Sequence, residues 1–236
     1  MLGNNWLALA ATFLLALLWL RINDFLAHKG WISAALSRKI IHIGTGPIYV
    51  LSWLFFQDTP SARYLAMLVP LAITFQFILV GTGVVKDQAA VEAMSRSGDR
   101  REILKGPLFY GLVFVLLTVL FWKDNPIGII SLMLLCGGDG FADIIGKKVG
   151  IGKLPWSLQK SWAGSLAMLI GGWLFAVSVL MVFLAAHVFP GNIGNYFVAI
   201  TVIAVIGAIV ESFPFRDIDN LSVPAVAILV GHFLIK

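Results

Sequence analysis

Charged residues and cysteines are both scarce in this sequence of 236 residues. Only 12% of the residues are Asp, Glu, Lys or Arg, and Cys136 is the one cysteine. A single thiol excludes an intramolecular disulfide and a metal site built from cysteines, and its apolar surroundings favour a small buried thiol. The scarcity of charge excludes a soluble domain, because much of the surface of such a domain must meet water.

Apolar residues, in contrast, make up 59% of the chain, and the mean hydropathy is +0.93. Several stretches approach or exceed the roughly 20 apolar residues that a spanning helix needs. The sequence therefore predicts an all-α, polytopic transmembrane bundle of seven to eight spans, forming one domain over residues 1–236. The first span lacks the features of a cleaved signal peptide and is expected to stay. The candidate spans are about 5–20, 40–56, 62–82, 107–122, 126–146, 162–187, 194–211 and 222–235.

The basic residues alternate between the two ends of these candidate spans. Fourteen of the seventeen Lys and Arg residues fall on one side, whereas Arg63, Lys123 and Lys236 fall on the other. By the positive-inside rule, the basic side faces the cytoplasm or its topological equivalent, and both termini lie opposite. The net charge of +5 is then explained by membrane orientation, and no nucleic-acid partner is expected.

The densest polar run, residues 137–153, lies where the fifth candidate span reaches the basic side. Asp139 and Asp143 are spaced i, i+4 and share one face of a helix. Two carboxylates at a membrane interface repel each other and lose hydration, so a positive group should lie beside them. We interpret the pair as a site for Mg²⁺ carried by a polyphosphate. Pairing with lysines or arginines of neighbouring helices is the structural alternative.

Glycines and lysines follow these two acids. The spacing of Gly146 and Gly150 fits close helix packing, but Gly150 and Gly152 also lie in a Gly-Lys loop whose N–H groups could cradle phosphate. The loop is not a P-loop pattern. Lys160 and Ser161 open the sixth span, where an N-cap serine and the positive helix end suit a bound anion. Capping with membrane anchoring explains these two residues equally well.

Three more polar residues lie on the basic side. His42 adjoins the basic residues at 38 and 39. It could serve as a base or as a hydrogen-bond donor to phosphate, or it could be structural. Glu211 ends the seventh span, and Asp219 lies in the last loop on that side. Either acid could be a metal ligand, a ribose contact or a general base, whereas capping of the last helix is the structural alternative for Asp219. A transporter would place such groups near the middle of the membrane.

These motifs resemble those of the polyprenol kinase family, which includes dolichol, farnesol and phytol kinases. The family patterns are G-D-x-x-A-[DS]-x-x-G-x-x-x-G, K-x-P and K-[ST]-x-x-G-[ST], and they are similar to residues 138–150, 153–155 and 160–165. The phytol kinase branch resembles this chain in three further segments, and the resemblance runs from about residue 37 to 225. Those segments are residues 38–42, 104–108 and 210–224.

The resemblance implies phosphoryl transfer from a nucleoside triphosphate, usually CTP, to the hydroxyl of an isoprenoid alcohol such as phytol, geranylgeraniol or farnesol. For the phytol branch it implies phytyl phosphate for tocopherol synthesis, in a cyanobacterial or plastid membrane, with the active face on the cytoplasmic or stromal side. The lipid bilayer is then a further partner. A CTP-dependent lipid cytidylyltransferase of the CDP-diacylglycerol synthase type, whose C-terminal signature is missing, and a small-solute transporter are the alternatives.

The resemblance also implies roles for individual residues. Mg²⁺ is the expected cofactor, with CTP as the donor, and its predicted ligands are Asp139, Asp143 and Asp219. The predicted catalytic residues are Asp139, Asp143, Lys160, Glu211 and His42. The predicted nucleotide and phosphate contacts are Lys39, Lys105, Gly146, Gly150, Lys153, Lys160, Ser161, Gly164 and Ser165.

Overall fold

The computed structural model describes residues 2–149, 152–214 and 218–235, and nearly all of its secondary structure is helical. Two 3-10 turns, Trp53–Phe55 and Arg100–Leu104, precede α3 and α6, and a π-helical segment, Leu134–Asp139, joins α7 to α8. The α-helices are α1 (Asn5–His28), α2 (Ala34–Ser52), α3 (Ala62–Ala66), α4 (Leu68–Thr82), α5 (Gln88–Met94), α6 (Gly106–Leu120), α7 (Ile127–Met133), α8 (Gly140–Val149), α9 (Trp162–Ala185), α10 (Ile193–Glu211) and α11 (Asp219–Leu234).

Within the described ranges, six helical segments are long and apolar enough to cross a membrane, so the predicted all-α membrane class is confirmed. The predicted count of seven to eight spans is wrong by this measure. α2 is not counted because polar residues at 38, 39 and 42 lower its hydropathy. α11 has 16 residues, or about 24 Å, against roughly 30 Å of hydrocarbon. The six are Asn5–His28, Ala62–Thr82, Arg100–Leu120, Ile127–Val149, Trp162–Ala185 and Ile193–Glu211.

When α2 and α11 are included with these six segments, successive segments run in opposite directions, so alternate helix ends meet on one side of the bundle. The C-terminal ends of α1, α8 and α10, the N-terminal ends of α2, α6, α9 and α11, and residues 69–77 of α4 all line one cavity. At the opposite side, the backbone N–H of Leu2 donates to the carbonyl of Phe55, and Lys123 Nζ lies 2.5 Å from Asp58 Oδ1. Most of the described charged residues are thereby gathered around the cavity.

The centre of the bundle is the continuous segment formed by α7, the π-helical segment and α8, which packs closely on α9. Leu132, Met133, Leu134 and Leu135 are fully buried in it. Glycines allow the close approach: a Cβ at Gly171 would lie 2.8 Å from the carbonyl oxygen of residue 137. Apolar burial and backbone-level packing therefore fix the position of the polar residues at the end of this segment.

A short antiparallel hairpin leads into α9, where the sequence predicts only a Gly-Lys loop. Its strands are β1 (Lys153–Leu154) and β2 (Ser157–Ser161), with Lys153 opposite Ser161. Ser161 is also the N-cap of α9, as predicted, because its hydroxyl accepts a hydrogen bond from the N–H of Gly164 at 3.2 Å. The hairpin fixes Lys160, the penultimate residue of β2, beside the start of a long helix.

Candidate active site

Three carboxylates from three different segments converge on the basic side of the bundle. Asp139 ends the π-helical segment, Glu211 ends α10, and Asp219 begins α11. One oxygen of each lies within 4.8 Å of the others, and Glu211 is only 3% exposed. Such a group of oxygen ligands suits a hard divalent cation. The sequence predicts Asp139, Asp143 and Asp219 as ligands and Glu211 as a possible one; the structure groups Asp139 and Asp219 with Glu211 and not with Asp143.

Lys160 supplies positive charge to this cluster. Its ammonium group pairs with Glu211 and lies 3.3 Å from Asp219 Oδ2. Burial alone would lower the pKa of Lys160, but the two carboxylates outweigh burial and raise that pKa above its ordinary value. Lys160 is therefore charged at neutral pH, and it partly compensates the acids around it.

Asp143 lies in the same cavity but belongs to a second ion-pair group. Its carboxylate is 3.0 Å from Lys39 Nζ on α2 and 2.8 Å from Lys147 Nζ one turn along α8. Among the described residues, the compact group of possible metal ligands contains Asp139, Glu211 and Asp219 and does not include Asp143. The metal role of Asp143 thus stays a prediction, and the structure places it in the cationic pairing that was its structural alternative.

His42 connects the acids with the interior of the bundle. Its Nε2 lies 3.3 Å from Asp139 Oδ2 and 3.4 Å from the carbonyl oxygen of Leu135. Tyr110, which the sequence did not single out, covers the imidazole with ring centroids 4.5 Å apart. The Tyr110 hydroxyl donates to the carbonyl of His42 at 2.8 Å and lies 3.1 Å from Cys136 Sγ. The sequence could not predict the contact of Tyr110 with His42, because an aromatic residue in an apolar helix is equally typical of core packing.

A cavity of about 1610 Å³ contains all of these groups. Small-molecule sites usually occupy roughly 300–1,000 Å³, so this one has room for two substrates. Every predicted site residue that the structure describes lines it, whereas Gly150 lies outside the described residues. The lining residues that were predicted are Lys39, His42, Lys105, Asp139, Asp143, Gly146, Lys153, Lys160, Ser161, Gly164, Ser165, Glu211 and Asp219.

Two of the predicted glycines have a packing role in this cavity wall. A Cβ on Gly146 would lie 3.4 Å from the Cα of Gly164, so α8 and α9 touch at these residues. Next to them, the Ser165 hydroxyl is buried without a hydrogen-bond partner among the described residues, as is Asn220 Oδ1. Buried polar atoms are normally paired. Because both residues line the cavity, these two atoms are candidate contacts for a polar ligand, whereas a third such atom among the described residues, Trp53 Nε1, lies in the packed core.

Comparison with curated proteins gives relatives over nearly the whole chain. A probable chloroplastic phytol kinase 2 of Oryza sativa subsp. japonica is 39% identical over 227 residues, which are 95% of this chain and 74% of that protein. A probable chloroplastic phytol kinase of Triticum aestivum is 37% identical over 91% and 72% of the two chains. Phytol kinase 1 of Arabidopsis thaliana, also chloroplastic, is 37% identical over 89% and 69%.

The chain belongs to the phytol kinase family. It is accordingly an enzyme, and the predicted family resemblance is confirmed. No family model and no solved structure matches the chain. In this phytol kinase family member, the convergent acids, Lys160 and the large cavity form the candidate active site.

Proposed function

We propose that this membrane protein transfers a phosphoryl group from a nucleoside triphosphate, with CTP as the expected donor, to the hydroxyl of phytol or a similar isoprenoid alcohol. The observation that carries the proposal is the single cavity. It joins a water-facing cluster of acids and lysines to an apolar interior lined by residues such as Ile48, Ile73 and Phe114. One substrate of such an enzyme is a polyanion and the other is a lipid, and the cavity offers both environments.

The polar end suits a triphosphate with its metal ion. Asp139, Glu211 and Asp219 offer only oxygen ligands in a compact group, which fits the preference of Mg²⁺. When bound, Mg²⁺ would neutralise charge on the phosphates. Lys39 and Lys105 line the same cavity and would bind phosphate oxygens directly. The unpaired hydroxyl of Ser165 and the amide oxygen of Asn220, described above, would find partners in the nucleotide.

The alcohol would enter from the apolar end and present its hydroxyl near His42. On α2, His42 is the last charged or titratable residue before the apolar lining, and Thr45 and Ile48 follow one and two turns further. Its contact with Asp139 orients the imidazole. His42 would therefore accept the hydroxyl proton as the phosphoryl group is transferred. Glu211 and Asp219 are the other candidates for this base.

The relatives described above are named as chloroplastic proteins, which supports a plastid membrane as the location. A cyanobacterial membrane is the equivalent alternative. The positive-inside rule would place the cavity mouth on the stromal or cytoplasmic side, where nucleotides are available. The phytyl phosphate formed there would serve tocopherol synthesis, as the resemblance implies.

An assay of the purified protein in detergent, with three alcohols and four nucleoside triphosphates, tests this function. We expect phytol, geranylgeraniol or farnesol to be phosphorylated, with release of a nucleoside diphosphate and dependence on Mg²⁺. A CDP-lipid with release of pyrophosphate would instead identify a cytidylyltransferase. Solute uptake by proteoliposomes, without phosphorylation of any alcohol, would identify a transporter.

A further inference from the structure

On four helices, the lining of the apolar end of the cavity stops where the packed core begins. The last lining residues toward the far side of the bundle are Thr12 on α1, Tyr49 on α2, Val69 on α4 and Phe114 on α6. We call these four residues the floor. The next residues in that direction belong to the packed core: Ala8, Trp53, Ala66 and Leu117 are all at most 3% exposed.

The floor is held rigidly, mainly through Tyr49. The Tyr49 hydroxyl donates to the carbonyl of Ala66 at 3.1 Å and lies 2.9 Å from the hydroxyl of Thr118. Its ring packs against Phe114 and Trp53, with centroids 5.7 Å and 6.0 Å away. Side chains that are buried, bonded and in ring contact do not move aside easily, because cores are close-packed.

The apolar part of the cavity is shallower than an extended phytyl or geranylgeranyl tail is long, so such a tail fits above the floor only when it is folded, for which the cavity volume of about 1610 Å³ has room. Seven residues of α2 separate His42 from Tyr49, which corresponds to about 10 Å along the helix. Along α6, Phe114 lies eight residues beyond Gly106, the neighbour of Lys105, or about 12 Å. The walls between these levels carry apolar or uncharged side chains; the lining residues there include Ala16, Thr45, Ile48, Pro70, Ile73, Phe109, Tyr110 and Gly111.

We propose that the floor limits the length of the isoprenoid tail, so that Tyr49, Val69 and Phe114 determine chain-length specificity. This inference rests on the proposed function, since the tail occupies the apolar end only if the hydroxyl is at the polar end. A tail too long to fit above the floor even when it is folded must leave between helices. A shorter tail leaves apolar surface uncovered. Tails that are too long or too short both have a higher barrier to phosphoryl transfer than a tail that reaches the floor, because a hydrophobic pocket discriminates by the groups it contacts.

The test compares kcat/KM for geraniol, farnesol, geranylgeraniol and phytol in variants that change the depth. Phe114→Ala removes part of the floor, and we expect it to shift the preference toward longer alcohols by on the order of tenfold. Ile73→Trp fills the cavity above the floor and should shift the preference toward shorter alcohols by a similar factor. Val69→Ala is a milder floor variant for use if Phe114→Ala does not fold.

Leu116→Ala is the matched control. Leu116 is on the same helix as Phe114, is 54% exposed and does not line the cavity within the described residues, so the wild-type order of alcohols should persist. An active enzyme whose preference is unchanged in the folded floor and wall variants would overturn this inference alone. A wild-type protein that phosphorylates no alcohol would overturn the proposed function, and this inference with it.

Discussion

At the scale of single residues, the four acids of the candidate site each contact a lysine or a histidine. Glu211 and Asp219 share Lys160, Asp143 has Lys39 and Lys147, and Asp139 contacts His42. The acids could be selected from the sequence because carboxylates near apolar spans are costly and usually functional. Their partners could not be assigned, because spacing along the chain sets no distance between separate helices. The grouping of Asp139 with Glu211 rather than with Asp143 therefore needed the fold.

Glu211→Gln tests the acid cluster without changing side-chain size. The change removes one negative charge next to Lys160, so we expect phosphoryl transfer to fall by on the order of 100-fold or more. Asp124→Asn is the control, since Asp124 is exposed at the opposite side of the bundle, where it pairs with Arg63. Initial rates of both purified variants give the comparison. Similar rates for the two variants would contradict a special role of the cluster.

Lys160→Met tests the compensating charge through stability. Two carboxylates lose their cation, so we expect the free energy of unfolding to fall by about 3 kcal/mol. Because the pKa of Lys160 is raised in the folded protein, its contribution is full below the ordinary lysine pKa and is lost as the pH rises through the higher folded-state pKa. The difference in Tm between wild type and variant should therefore persist from about pH 7 to about pH 10. A difference in Tm that disappears within this pH range would contradict the pairing of Lys160 with the two carboxylates.

At the scale of secondary structure, the π-helical segment Leu134–Asp139 and the hairpin position the site. The long apolar helices were predictable from hydropathy, and the cap at Ser161 was predictable from residue type. The π-helical segment was not, because its extra residue per turn leaves no mark in composition. The hairpin was not either, since a loop of glycines and lysines has no strand-like alternation.

Gly171→Ala tests the close packing of α9 on the π-helical segment. The added Cβ would lie 2.8 Å from the backbone oxygen of Gly137, and backbone cannot move aside as a flexible side chain can. We expect a loss of about 1–3 kcal/mol in the free energy of unfolding. Gly3→Ala is the control, since its Cβ meets nothing within 4 Å. Equal Tm values for the two variants would show that this contact is looser than described.

At the scale of the whole molecule, charge is divided between two sides of an apolar bundle. The alternation of Lys and Arg predicted which helix ends meet, and the structure brings those ends around one cavity. The number of spans was overestimated because residues near 40–56 and 222–235 are apolar without meeting the full length and hydropathy of a span. The depth of the cavity could not be predicted from the sequence, because it depends on gaps between helices that are distant in the chain.

Cysteine labelling in spheroplasts of a bacterial host tests this two-sided arrangement. The lone Cys136 is buried and can be replaced by alanine to give an unreactive background. Exposed residues on the two sides then receive one cysteine each, as Ser97→Cys near the cavity and Ala186→Cys at the far end of α9. A membrane-impermeant maleimide should label only the second variant, because the basic side faces inward. Labelling of the first variant alone would show that the protein has the opposite orientation in the membrane.

Both proposals require that a cavity with an acidic cluster at its polar end performs Mg²⁺-dependent phosphorylation of an isoprenoid alcohol. Transfer of labelled γ-phosphate from CTP to phytol, measured for purified wild type and Asp139→Asn, tests it most directly. We expect labelled phytyl phosphate with wild type, loss of product when Mg²⁺ is removed, and a decrease on the order of 100-fold or more in the variant. Product formation by Asp139→Asn at the wild-type rate would contradict it.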